Sequence, residues 1–230
     1  MKERSDMKNS PIRTAFLDTL PVMSGYVVLG FGFGILLHRS GYGLVWSFCM
    51  SLFIYAGSMQ YMAVSLLSGG AGLLTAALTA FVVNARHLFY GISMVEAYRG
   101  AGKKKPYLIF ALTDETYSLV SRQREPDLGY CFLVSLFDQI YWVAGSVLGS
   151  LAGSLLPVNF EGIEFVLTAL FVTMFVEQWL SSKDHGPALI GLLATAACLL
   201  LFGKDIFLIP SMAAIAAILI LKRGKGEQNG

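Results

Sequence analysis

Asn84-Ala85-Arg86-His87 interrupts a run from Leu73 to Val95 that is otherwise almost wholly apolar. An amide, a guanidinium and an imidazole stand where a bilayer-crossing helix carries hydrocarbon. Arginine keeps its charge, and placing it near mid-membrane costs at least about 2.5–3.5 kcal/mol on insertion scales, so it needs a counter-ion or a wet cavity. Its planar fork suits bidentate capture of a carboxylate. Two blander uses stand beside that one. Arg86 can form a structural ion pair, or it can snorkel to the interface, since the run ends nine residues later. His87 titrates near neutral pH and can couple a proton, or it can be a packed hydrogen-bonder.

Two further constellations lie in apolar surroundings. Tyr55-Ala56-Gly57-Ser58-Met59-Gln60-Tyr61 places three small residues before an amide. Small residues admit a neighbouring backbone, and they also weaken a helix enough for it to break. Gly57, Ser58 and Gln60 are therefore read either as helix-packing glue or as a substrate-binding break. Thr113-Asp114-Glu115-Thr116 brings two adjacent carboxylates, which point about 100° apart on a helix, so at most one faces a given partner. One can neutralise Arg86, and the other can bind an ammonium or a proton. Alternatively, the four residues form a solvated turn. Asp138 and Glu177 complete the inventory.

The elements that must hold these groups are membrane helices. Hydrophobic residues make up 55% of the 230 and charged residues only 14%, with mean hydropathy +0.63. A water-facing surface needs roughly 25% charged residues, and about 20 consecutive apolar residues cross a bilayer core. Candidate spans run over 21–37, 44–68, 72–97, 107–121, 130–154, 163–181, 186–202 and 205–221. Segment 107–121 is short and carries Asp114 and Glu115, so a broken helix, a re-entrant hairpin and a true crossing are all open. Before the first span, Ser10-Pro11 reads as a helix start. Ile12, Phe16 and Leu20 then suggest a short interfacial helix that turns into the membrane at Pro21. The net charge of +2 sits at termini and loops, which makes it a topology signal and not a nucleic-acid face. Cys49, Cys131 and Cys198 lie far apart in apolar runs, without disulfide or metal-ligand spacing.

A weak internal repeat organises the spans. Pro21 recurs as Pro106, Ala56-Gly57-Ser58 as Ala144-Gly145-Ser146, and Leu78-Thr79-Ala80 as Leu167-Thr168-Ala169, at offsets of 85, 88 and 89 residues. The expected architecture is an all-α polytopic bundle of seven or eight crossings forming a single domain. It comprises a cytoplasmic or interfacial segment 1–20, three-helix units 21–97 and 106–182 in inverted orientation, and a closing pair 186–221. Such folds bind substrate near the midplane on broken helices. By the repeat offsets, Glu177 falls close to the counterpart of Arg86. The basic residues at both ends place the termini in the cytoplasm. With eight crossings, Arg99 and Lys103 to Lys105 lie outside, whereas six crossings would bring every basic cluster inside. We follow the repeat.

Other function classes fit poorly. The chain has no two-histidine metal motif and no Gly-x-Ser-x-Gly turn, so an intramembrane enzyme lacks its machinery, and no metal or cofactor is expected. A channel would need rings of like charge or a carbonyl filter. A non-transporting scaffold subunit is the stronger rival to a secondary transporter.

The ordered set of Tyr55 to Tyr61, Asn84-x-Arg86-His87-Leu88-x-Tyr90-Gly91 and Leu112-Thr113-Asp114-Glu115 resembles the AzlC family of branched-chain amino acid permeases. The likeness extends to the Pro21 and Gly25 opening, the basic stretch after Gly91 and the span around Trp142, over roughly residues 15 to 220. Tyr61 stands where the family usually has phenylalanine, and Ala85 where leucine is typical. The resemblance implies a multi-pass exporter in the cytoplasmic membrane for hydrophobic amino acids such as valine, leucine, isoleucine and methionine. It further implies drive by the proton gradient and a small AzlD-type membrane subunit as partner. On that basis Gly57, Ser58, Gln60, Asn84, Arg86 and Asp114 are the expected substrate-binding residues. His87, Glu115, Asp138 and Glu177 are the expected proton-coupling or gating residues. Phe81, Phe89, Tyr55, Met59 and Tyr61 are candidate walls for an aliphatic side chain.

The topology can be tested with Lys104→Cys in a background without Cys49, Cys131 and Cys198. Eight crossings predict labelling by an impermeant thiol reagent from outside the cell. Labelling only from the cytoplasm would establish six.

Overall fold

The longest helices are also the most closely apposed. In the computed structural model, which describes residues 11–121, 127–155, 184–203 and scattered positions between 165 and 221, helix α1 covers Pro11–Arg39 and α7 covers Leu128–Leu155. They share the most extensive interface among the described residues. Glycines make the approach possible: a methyl group added at Gly145 would lie 2.7 Å from the Val27 carbonyl oxygen, and one at Gly30 would lie 2.9 Å from that of Trp142. Gly34 and Gly149 are pressed equally against the opposite backbone. Both helices thus carry glycines four residues apart, the spacing that lets membrane helices pack backbone to backbone.

Between them the chain runs α2 (Leu44–Phe53), α3 (Gly57–Ser68), α4 (Leu73–Ser93), a 3-10 turn (Gly102–Lys104), α5 (Lys105–Phe110) and α6 (Asp114–Val120). No strand occurs among the described residues. α2, α5 and α6 lie against α7, and α3 lies against α1. α4 leans on α3 with no residue fully buried. Pro11–Arg39, Leu73–Ser93 and Leu128–Leu155 are long and apolar enough to cross a bilayer, while Leu44–Phe53 is a shorter apolar helix.

The segment expected as one span over 44–68 is broken. Ile54 ends α2, Tyr55 adopts a left-handed conformation (φ 43°), and Ala56 is extended before α3 starts. That conformation is unfavourable for a residue with a side chain, by about 1–2 kcal/mol. The ring is nevertheless fixed, only 3% exposed, in a cluster with Tyr26, Phe33, Tyr61 and Trp142. Gly57 follows because the Trp142 indole covers it: an added methyl would come within 2.9 Å of the ring.

The short 107–121 segment is broken too. α5 ends at Ala111, and Thr113 caps α6, its Oγ1 accepting the Thr116 N–H at 3.3 Å. Asp114 and Glu115 fill the first turn of α6, where the exposed N–H groups favour negative charge.

The expected turn at Pro21 is absent. α1 begins at Pro11 and runs straight through Pro21 to Arg39, so no separate interfacial helix forms from 11 to 20. One missing backbone hydrogen bond does not end a helix that is held along its length by a neighbour. The Ala-Gly-Ser recurrence does not carry over into local structure either. Ala56-Gly57-Ser58 sits at a break, whereas Ala144-Gly145-Ser146 lies inside continuous α7.

Residues to Leu167 form one compact unit, and those from Thr168 form a second. In the second unit α8 spans Gly186–Phe202, and Trp179 stacks on His185 at 4.2 Å. The expected spans at 163–181 and 205–221 fall largely outside the described residues.

The glycine seam makes a stability prediction. Gly145→Ala should lower the thermal midpoint in detergent, by the equivalent of about 1–3 kcal/mol for an overpacked core. Gly25, with nothing within 4 Å, is the control. Gly25→Ala should be neutral or stabilising, by up to about 1 kcal/mol.

Candidate functional site

Both breaks face Arg86. From α4, its Nη2 donates to Ser58 Oγ at 2.9 Å, at the start of α3, and its Nη1 pairs with Asp114 Oδ2 at 2.6 Å, at the start of α6. The side chains are 31% and 15% exposed, so the pair sits at an accessible rim and not in a sealed core. Helix N-termini carry partial positive charge. Beside a guanidinium, they make this spot a strong attractor for an anion, and Asp114 supplies one.

Three atoms of this centre are buried without a hydrogen bond of good geometry, namely Arg86 Nε, Asp114 Oδ1 and Asn84 Oδ1, and the Tyr90 hydroxyl lies close to the Asp114 carboxylate. One is a donor with positive charge, one an acceptor with negative charge, and the third an amide atom whose O and N assignments are interchangeable. Unpaired buried polar groups are costly and infrequent. Around this one ion pair, donor and acceptor capacity of both charges is left open.

Behind the rim lies a second polar layer. Gln60 is fully buried, its Oε1 accepting from Trp142 Nε1 at 2.8 Å and its Nε2 donating to Ser51 Oγ at 3.2 Å. Both ends of the amide are therefore occupied in tying α3 to α7 and α2, and it does not join Arg86. Gln139 links the two broken segments, accepting from the Tyr107 hydroxyl of α5 at 2.9 Å and donating to the Leu52 carbonyl of α2 at 3.2 Å. That carbonyl, in the last turn of α2, would otherwise be left unpaired by the helix end.

Glu115 points away from Arg86. Its Oε2 accepts the Tyr26 hydroxyl at 2.6 Å. Tyr26 also lies 2.8 Å from Thr113 Oγ1, Thr113 Oγ1 lies 3.0 Å from Thr116 Oγ1, and Thr116 donates to Asp138 Oδ2 at 2.8 Å. Asp114 and Glu115 thus part company, as their angular separation on a helix requires. His87 packs edge-on to Tyr90 at 5.9 Å, and Tyr90 in turn stacks on Tyr117 at 4.6 Å.

Of the residues picked from the sequence, Ser58, Arg86 and Asp114 touch one another, and Asn84 lies beside Arg86 on the same helix. Gly57 begins α3 under Trp142. Gln60, Glu115 and Asp138 belong to the inner layer, and Glu177 lies outside the described residues. Phe81 and Phe89 are exposed on α4, at 68% and 64%, while Tyr55, Met59 and Tyr61 are buried. Sequence reasoning missed Tyr26, Ser51, Tyr107 and Gln139, and it gave Trp142 no role at the site. Only Thr113 carried a readable local signal, a threonine three residues before another hydrogen-bonding residue at a helix start.

The family model for AzlC protein matches residues 21–156, which hold all of this centre. The chain is 43% identical over 227 residues to the branched-chain amino acid transport protein AzlC of Bacillus subtilis, covering 97% of this chain and 89% of that one. It is 40% identical over 220 residues to an uncharacterized membrane protein of Haemophilus influenzae, covering 94% and 90% of the two chains. It is also 30% identical over 214 residues to the inner membrane protein YgaZ of Escherichia coli, covering 87% and 84%. No solved structure matches the chain. A membrane chain with this order of motifs, and with this likeness over almost its whole length, belongs to the AzlC family.

Proposed function

We propose that this chain is the large subunit of a secondary transporter that exports valine, leucine, isoleucine and methionine across the cytoplasmic membrane. The observation that carries the reading is the set of unpaired atoms around Arg86 and Asp114. A zwitterionic amino acid complements them. Its carboxylate takes the guanidinium and the first turn of α3, including Ser58. Its ammonium takes Asp114 Oδ1 and the Asn84 carbonyl oxygen. The aliphatic side chain then lies toward Tyr55 and Met59 at the break.

Arg86 and Asp114 neutralise each other in the structure, and the substrate exchanges one half-buried pair for two. Neither charge is left uncompensated at any stage, which matters because a charge partly withdrawn from water is costly without a partner. Gln60 acts one layer behind, holding Trp142 over Gly57 so that α3 begins where it does.

The name carried by the Bacillus relative supports the substrate class. The remaining parts of the reading are export, drive by the proton gradient, a small AzlD-type partner, cytoplasmic termini and an inverted pair of three-helix units. The open apolar face of α4, including Leu74, Phe81 and Ile92, is compatible with such a partner in the membrane. His87 and Glu177 remain candidates for gating.

The test is efflux of valine and methionine from cells loaded with dipeptides, comparing empty cells, this chain alone, and this chain with a small four-span partner. Efflux should rise with the chain. It should fall at least about tenfold in Arg86→Lys, which keeps the charge but loses the fork, since charge-assisted hydrogen bonds contribute about 1.5–3 kcal/mol. Asp114→Asn should fall similarly, with the protein still present in the membrane. Full efflux in both variants would remove this centre from substrate binding. Loss of the protein from the membrane in both would favour the scaffold reading.

A further inference from the structure

The geometry points to a proton site shared by Glu115 and Asp138, joined by a hydroxyl wire through Tyr26, Thr113 and Thr116 along which one proton passes. This inference rests on the transporter reading only for its use in coupling; the wire itself is a property of the chain. Four contacts of 2.6, 2.8, 3.0 and 2.8 Å link the two carboxyls without a gap. All are within hydrogen-bond distance. Asp138 is fully buried, and Tyr26, Thr113 and Thr116 are 5%, 8% and 0% exposed, whereas Glu115 is only partly buried.

The proton arithmetic closes. With one proton on Glu115, its O–H donates to Tyr26, Tyr26 to Thr113, Thr113 to Thr116, and Thr116 to Asp138. Four O–H bonds break and four form in one shift, leaving Glu115 ionised, Asp138 protonated and each hydroxyl reversed. Thr113 and Thr116 hydroxyls can each donate one bond and accept another, as such a chain needs.

The charge balance calls for that proton. The titratable groups facing the wire are Tyr55 at the helix break, Tyr107 of α5, Arg86 and Tyr90 of α4, Asp114 of α6, and Tyr130 of α7, whose hydroxyl donates to Asp18 of α1. His87 flanks Arg86 and Asp114. Arg86 is the one formal cation among these groups, and it is paired with Asp114. Two further ionised carboxylates at this depth would stand without a counter-ion, which a low-dielectric interior disfavours. Sharing one proton halves that excess, and the pair then titrates as a unit.

Infrared spectroscopy of the purified chain in lipid nanodiscs, titrated in H₂O and D₂O without substrate, tests the site directly. Sharing predicts one deuterium-sensitive protonated-carboxyl band that is altered in Glu115→Gln and in Asp138→Asn. It predicts that Tyr26→Phe and Thr116→Val also alter the band, and that Thr116→Ser, which keeps the hydroxyl, restores it. Independent titration of the two carboxyls, each unaffected by loss of the other, would overturn the proposal. In proteoliposomes, gradient-driven valine movement should fall about 10²-fold in Thr116→Val, the scale of a lost positioned proton transfer. Valine counterflow, which moves no net proton, should persist. Unimpaired gradient-driven movement in Thr116→Val would also overturn the relay. Absence of valine counterflow in the wild type would overturn the substrate reading and leave the infrared result to judge the wire.

Discussion

A guanidinium inside hydrocarbon has to be answered, and most of this structure is arranged around the answer. Arg86 cannot shed its proton, so an anion must come to it. Asp114 can reach it only because the chain stops being helical just before residue 114, and Ser58 only because it stops again before residue 57. Each break leaves N–H groups unpaired and carbonyls in need of donors. The buried amides and hydroxyls supply partners: Gln139 for the Leu52 carbonyl, and Thr113 for the Thr116 amide. One charge thus carries two helix interruptions, and each interruption carries a layer of polar side chains behind it. The glycine seam between α1 and α7 provides the rigid wall against which that layer is held.

Much of the polar centre was legible in the sequence, because charges in apolar runs are conspicuous. Arg86 and Asp114 stood out, and the small residues at 56–58 marked a weak point in their span. What the sequence did not show was the division of labour. Gln60 looks like a substrate ligand by type and depth, yet its partner is Trp142, 82 residues away. Tyr26 is one of ten tyrosines, and nothing local separates it from the rest. Side-chain pairing across distant elements leaves no local pattern. Pro21 misled for the opposite reason: a strong local preference was overridden by packing along a long helix.

The recurrence of Ala-Gly-Ser shows how little a short motif says about its use. At 56–58 its small side chains admit an indole over a helix start. At 144–146 they admit a whole helix backbone along an unbroken one. The shared property is low volume, and the surroundings decide whether it serves a break or a seam. The spacing of Gly30 with Gly34 and of Gly145 with Gly149, which the sequence reading passed over, specifies a face and not merely a point.

The first turn of α6 places Asp114 on Arg86 while Thr113, Glu115 and Thr116 lie on the hydroxyl chain. Four consecutive residues of one helical turn cannot move separately. On the proposed transporter reading, a reorganisation of the binding pair that disturbs this one proton site would exchange one neutral zwitterion for one proton. Such a cycle is electrogenic. Its ceiling is about tenfold in concentration ratio per pH unit, with about 2.3 kcal/mol more from each 100 mV of membrane potential.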